Sequence, residues 1–244
     1  MTTAASSWPQ LGIQPVGNFF IPDNVQRHKL GAVLSVVDPY WGGQELAYLA
    51  IPTSTALKVG HAVTWDNTNN IVALPNTANL GFPVAFALNA VNSDANNVQY
   101  AWFLIEGRFP AYSNASVAAA AAIGIVAAGQ LGANSAGKEI LGVRVAAAAT
   151  TTVAKTNTNT QSGSTLLRCS SAGTDGWFVG VALSGTGIAA STVITAIDPD
   201  NRTVTMNNAA TATGSVTVTG TYNDGTSFWN VIVADRPQAQ GAIS

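Results

Sequence analysis

Ionisable chemistry is what this chain has least of. Its 244 residues include one cysteine (Cys169), two histidines (His28 and His61), three glutamates (Glu45, Glu106 and Glu139) and only 9% charged side chains in all. Each shortage excludes something. A single cysteine cannot close an internal disulfide or build the usual thiolate zinc site, which points to folding in a reducing compartment. The basic residues are scattered, and a net charge of -2 provides no field to steer toward nucleic acid or acidic lipid. The amino terminus lacks the basic start and apolar run of a signal peptide. The longest apolar stretch, residues 117–128, falls short of the roughly 18–20 needed to cross a bilayer. Neither nucleic acid nor a membrane is therefore expected as a partner.

Apolar surface, by contrast, is abundant: 47% of the residues are hydrophobic and the mean hydropathy is positive. Mixed surface charge is what keeps free monomers apart. A chain this poor in charge is suited to resting against something else, so a scaffold or assembly role is expected and enzymatic activity is not.

Residues 1–30 read as an extended arm. Trp8-Pro9, Gln14-Pro15 and Ile21-Pro22 each place a residue before proline, where helix is disfavoured. Trp8, Phe19 and Phe20 make the arm too apolar for a simple disordered tail, so it is expected to dock on its own domain or on a neighbouring subunit. From Gly31 the signal is β. Segments 31–37, 45–51, 57–65, 70–74, 82–91, 97–109 and 140–147 are rich in aliphatic and aromatic residues, with turn chemistry between them. In 57–65, Leu57, Val59, His61, Val63 and Trp65 alternate with the period of a half-buried strand. The alanine run 117–122 favours either a short helix or a close-packed strand.

Residues 150–165 are polar and threonine-rich, suited to a linker or an exposed strand. A second β unit follows, with segments 165–169, 177–183, 191–197, 202–206 and 215–221. Its clearest element is a hairpin turning at Asp198-Pro199-Asp200-Asn201. The last strand, 228–233, ends at Ala234-Asp235-Arg236-Pro237. Three parts are expected: an arm (1–30), a β-barrel-like or sandwich domain (31–154 with 223–244), and a small β domain at 155–222. If the last strand rejoins the first domain, the second is an insertion; the alternative is a tandem order. The fold class is all-β.

Residue patterns for chemistry are weak. No Gly-x-Ser-x-Gly elbow accompanies the two histidines, and His61 and His28 are explained by strand and surface positions. Asp198 and Asp200 share a turn without the further ligands of a calcium loop. Gly185-Thr186-Gly187 lacks the third glycine and the helix of a phosphate-binding turn. Asn114-Ala115-Ser116 and Asn201-Arg202-Thr203 match a glycosylation acceptor by chance. No catalytic residue, cofactor or metal is expected. Trp41, with Tyr40 in Pro39-Tyr40-Trp41-Gly42-Gly43, is either folded back on its own core or an anchor at a subunit contact. The candidate interface residues are Trp8, Phe19, Phe20, Tyr40 and Trp41.

The block from Gly176 to Ile194, continuing through Arg202-Thr203-Val204-Thr205-Met206 and Ala210-Thr211-Ala212-Thr213-Gly214, resembles a β module of tailed-bacteriophage virion proteins. The stretch Leu57-Lys58-Val59-Gly60-His61-Ala62-Val63, with Ile140-Leu141-Gly142-Val143-Arg144-Val145, is similar to small phage capsid decoration (cement) proteins. That resemblance implies a viral structural protein, made in the host cytoplasm and bound to the outer capsid surface of the virion. It implies a homotrimer that clamps neighbouring subunits of the major capsid protein, with the second unit projecting outward. Two other readings stand beside it. A tail, fibre or baseplate component would bind host surface glycans through exposed aromatics in the loops of 176–226. A glycan hydrolase would need two carboxylates facing one cleft.

Overall fold

A computed structural model describes residues 22–38, 40–170, 173–198 and 201–240. Among these residues there is no helix, and the fold is all-β. In chain order the strands are β1 (Val33–Asp38), β2 (Gly42–Ile51), β3 (Ala56–Leu57), β4 (Ala62–Trp65), β5 (Ile71–Ala73), β6 (Ala85–Ala87), β7 (Val91–Asn92), β8 (Gln99–Ser113), β9 (Ile123–Ala127), β10 (Gln130–Ala133) and β11 (Ile140–Ala147). They continue as β12 (Thr152–Thr160), β13 (Leu166–Arg168), β14 (Ala182–Gly185), β15 (Thr192–Asp198), β16 (Thr203–Met206), β17 (Gly214–Thr221) and β18 (Phe228–Ala239).

The first unit is built around one long antiparallel pair, β2 with β8, from Gln44 opposite Gly107 to Ile51 opposite Gln99. The ladder continues in the order β1-β2-β8-β6-β4-β5. β5 curls back toward β2 through a bridge between Ala50 and Asn70, beside the Ala50 N–H donated to the Asn69 carbonyl at 2.9 Å. Leu49, Ile51, Val63, Ile71 and Phe103 fill the inside of the curl. Leu46 and Tyr48 alternate with them and face a second apolar cluster outside it. Both faces of β2 are thus covered, which is why residues 46–51 read as an unbroken hydrophobic run. The second half of β8 pairs with β18, from Glu106 opposite Asp235 to Ser113 opposite Phe228. β11 pairs with the other side of β18.

The second unit is a ring of antiparallel strands in the order β12-β13-β16-β15-β14-β17, with β17 pairing back to β12. Its thinnest seam, β12 to β13, is the single pair Asn159–Arg168. Leu167, Val181, Ile194, Val204 and Val218 make its buried centre, and threonine is the commonest residue at its exposed positions. The chain enters the ring after β11, and β18 then runs between β8 and β11 in the first unit's sheet. One apolar cluster spans both units. At the joint, Phe178 packs against Trp229 with ring centroids 5.5 Å apart and against Tyr222 at 5.2 Å.

Five segments differ from their expectation; residues 82–91 are two strands, β6 and β7, that pair in different sheets. Residues 117–122 are neither helix nor strand: Ala120 sits at φ 63, its N–H bound to the Val145 carbonyl at 2.8 Å. A six-residue run cannot repay the cost of nucleating a helix, and the Asn230 side chain pins its start at Val117. The expected strand 57–65 breaks at Gly60, φ 73, whose missing Cβ would lie 2.2 Å from the Pro110 carbonyl. Segment 177–183 is a turn until Ala182, because Gly180 at φ 105 bends the chain and lets the Trp229 ring lie where a Cβ would be. The last strand does not stop at Val233; it runs on to Ala239 through Arg236 at φ 42.

Candidate interaction surface

Of the residues expected at an interface, Trp8, Phe19 and Phe20 lie outside the described residues. Tyr40 and Trp41 form the β1–β2 turn, where the Asp38 carboxylate accepts the Tyr40 N–H at 2.8 Å and the Trp41 N–H at 2.7 Å. Trp41 is half-buried and turns back toward Phe109 (6.1 Å) and Tyr222 (6.4 Å), with the Arg108 guanidinium 6.0 Å from its ring. Tyr40 meets Trp41 edge-on at 4.7 Å and stays 44% exposed at the rim of the joint. Tyr222 donates its hydroxyl to the Gly176 carbonyl at 2.7 Å. Burial, with Tyr40 beside it, pushes that phenol well above its ordinary pKa.

Residues 22–30, the described end of the arm, lie across the first unit. Asp23 and Tyr100 exchange backbone hydrogen bonds of 2.9 and 2.8 Å. The Arg27 N–H donates to the Tyr48 hydroxyl at 3.0 Å, and its guanidinium pairs with Asp23 at 2.7 Å. The backbone N–H of Val25, then Arg27, hold the Asp23 carboxyl below its usual range. His28 meets Tyr48 edge-on and Trp102 at a tilt, its ring centroid 5.1 Å from each, and burial lowers its pKa. A cavity of about 10 Å³ under Pro22, lined by Ala87, Leu88 and Trp102, has room for about one water.

The arm leads into β1, which ends the ladder and is paired on one side only. None of its six residues is buried; Val33 is 54% and Val37 80% exposed. Among the described residues ten large apolar side chains stay exposed, and only Leu166 belongs to the ring. The other nine, including Val25, Val33, Val37 and Tyr40, lie in the first unit. The same side of that sheet carries Glu45 opposite Glu106, both engaged by Arg236 at 2.6 and 3.6 Å.

Reactive side chains converge at one place that sequence spacing did not reveal. Lys58 Nζ donates to Ser227 Oγ at 2.7 Å and lies 4.8 Å from the Tyr112 ring centroid. These groups come from distant parts of the chain, so no local motif marks them. The arrangement ties the turn before β4 to the start of β18 within the first unit, and Trp229 reinforces it by donating Nε1–H to the Val59 carbonyl at 2.9 Å. His61, in the turn before β4, accepts the Lys58 N–H on Nδ1 and places Nε2 3.2 Å from the Ala128 carbonyl; burial lowers its pKa. Asp198 bonds Asn201 within its turn, while Asp200 lies outside the described residues. The three aromatic residues between 176 and 226, Trp177, Phe178 and Tyr222, are all buried, so none offers the exposed platform that glycan binding would use. The paired glutamates, Glu45 and Glu106, sit on an open sheet face and share one arginine. Set against protein-family models, curated proteins and solved structures, the chain matches none.

Proposed function

We infer that this protein is a structural assembly subunit, a decoration protein of the tailed-bacteriophage type, that binds the outer surface of a capsid as a homo-oligomer. A trimer that clamps neighbouring major capsid subunits suits the reading. One observation supports it above the others: exposed apolar surface is confined almost wholly to the first unit, where an open strand edge adjoins the root of the arm. Exposed apolar surface gathered on one unit is where contact is expected. The ring, self-paired and threonine-faced, would project away from the capsid. Many modest contacts from linked copies add up to firm attachment, and such contacts need no reactive groups.

The test is to mix the purified protein with phage heads that lack decoration protein and to measure bound copies per head. Saturable binding at a fixed ratio is expected. Failure to bind heads at micromolar protein contradicts the reading, and more so if the protein binds host cells instead.

A further inference from the structure

The open edge of β1 carries a consequence for how copies meet. Edge strands of soluble proteins are usually guarded by lysine, proline, a bulge or a cover. β1 has none of these: its register with β2 is unbroken from Val33–Ala47 to Asp38–Gly42, and its only charge, Asp38, is spent on the turn. No strand lies on its outer side among the described residues.

The chain itself carries a segment suited to that edge. Residues 1–21 contain no charged side chain. Between Pro15 and Pro22 lie six proline-free residues, including Phe19 and Phe20, and β1 is also six residues long. Every one of the six can donate an N–H to a ladder, which proline cannot. The arm's point of departure says whose edge it meets. Tyr100 pairs with Ala50 of β2 on one side and with Asp23 on the other. Pro22 therefore leaves on the far side of β8, with β8 and β2 between it and its own β1. Residues 16–21 directly precede Pro22, and six extended residues reach on the order of 20 Å, too short to cross β8 and β2 and also lie along β1 of the same copy.

We propose that residues 16–21 of one copy add as an extra strand to the open edge of β1 in a second copy, so that copies are linked head to tail by exchanged arms. Main-chain hydrogen bonds supply the attachment, and Phe19 and Phe20, on opposite faces of the added strand, fall one beside the exposed Val33 and Val37 and the other beside Leu34 and Val36. A heterologous contact of this kind closes into a ring when the rotation between copies allows it. The proposal goes beyond the capsid reading and stands without it.

The experiment measures the mass of the full-length protein in solution by light scattering at micromolar concentration. Two variants are measured beside it: Val33→Lys with Val37→Lys on the edge, and Phe19→Asp with Phe20→Asp on the arm. The wild type is expected to be a closed oligomer, and each variant a monomer with an unfolding midpoint close to wild type. A monomeric wild type, or an oligomer that survives either pair of changes, overturns the proposal. Adding heads separates the two readings. Monomers that still decorate heads sink arm exchange alone, whereas arm-linked oligomers that ignore heads sink the capsid reading alone.

Discussion

The ring and the first unit are both antiparallel β structures drawn from one low-charge sequence, yet they manage their edges in opposite ways. The ring pairs its last strand with its first and so leaves few unpaired backbone groups. Threonine faces outward from it, and a single large apolar side chain, Leu166, is left exposed. The first unit stops at β1 with its outer side open and keeps nine such side chains at its surface. Low charge therefore does not mean that the whole surface is adhesive. It is compatible with a self-contained unit when edges are closed and hydroxyls stand at the surface, and the exposed apolar side chains then fall to the other unit.

The two are bound by a shared core, and breaking that core gives the largest expected effect. Trp229 is 2% exposed and sits between the units. Trp229→Ala is expected to destabilise the protein by about 3–5 kcal/mol and to split one unfolding transition into two, read by calorimetry. Next comes Asn230, fully buried, whose side chain accepts the N–H of Val117 and of Ala149 and donates to the Ala115 carbonyl. It secures the point where the chain departs for the ring. Asn230→Ala leaves buried backbone donors unpaired and should cost roughly 2–4 kcal/mol in denaturant unfolding.

A smaller effect follows from pH. His28 and His61 have pKa values lowered by burial from 6.5, so the unfolded chain binds their protons more readily than the fold. Their contribution is complete above pH 6.5 and is lost as pH falls toward the depressed folded values. Asp23, Asp66 and Asp224 shift downward from 3.8, so their stabilisation fades only in stronger acid. Between about pH 6 and 4.5 the arm root should therefore loosen first, seen as faster amide exchange at residues 23–32, while the ring, which contains no histidine, holds. His28→Phe should remove that loosening. The smallest folding effect is expected at the edge itself. Val33→Lys with Val37→Lys touches only exposed positions and should shift stability by less than about 0.5 kcal/mol, although it abolishes association.

Local signals in the sequence carried much of the strand pattern. The hairpin around 193–206 appears with Asp198 opposite Thr203, as its turn residues require, and β11 occupies residues 140–147. Where local reading failed, a distant neighbour decided. Gly60 breaks an alternating segment because the backbone of Pro110 passes against it, and Gly180 turns Trp177 and Phe178 into a joint with Trp229. The alanine run gives up its helix because its ends are tied to Asn230 and Val145. The candidate site was legible in kind but not in place. Tyr40 and Trp41 stood out in their turn, yet nothing nearby in sequence reveals that Trp41 faces Tyr222. Nor does local pattern tell that β1 would be the strand left without an outer partner, since pairing order depends on the whole ladder.

The most direct test is the amide-exchange footprint of the full-length protein, free and bound to undecorated heads. New protection confined to the first unit, with ring amides unchanged and β1 already protected before heads are added, is the predicted result. Protection concentrated on the ring, with the first unit exchanging as fast as in the free protein, would contradict it.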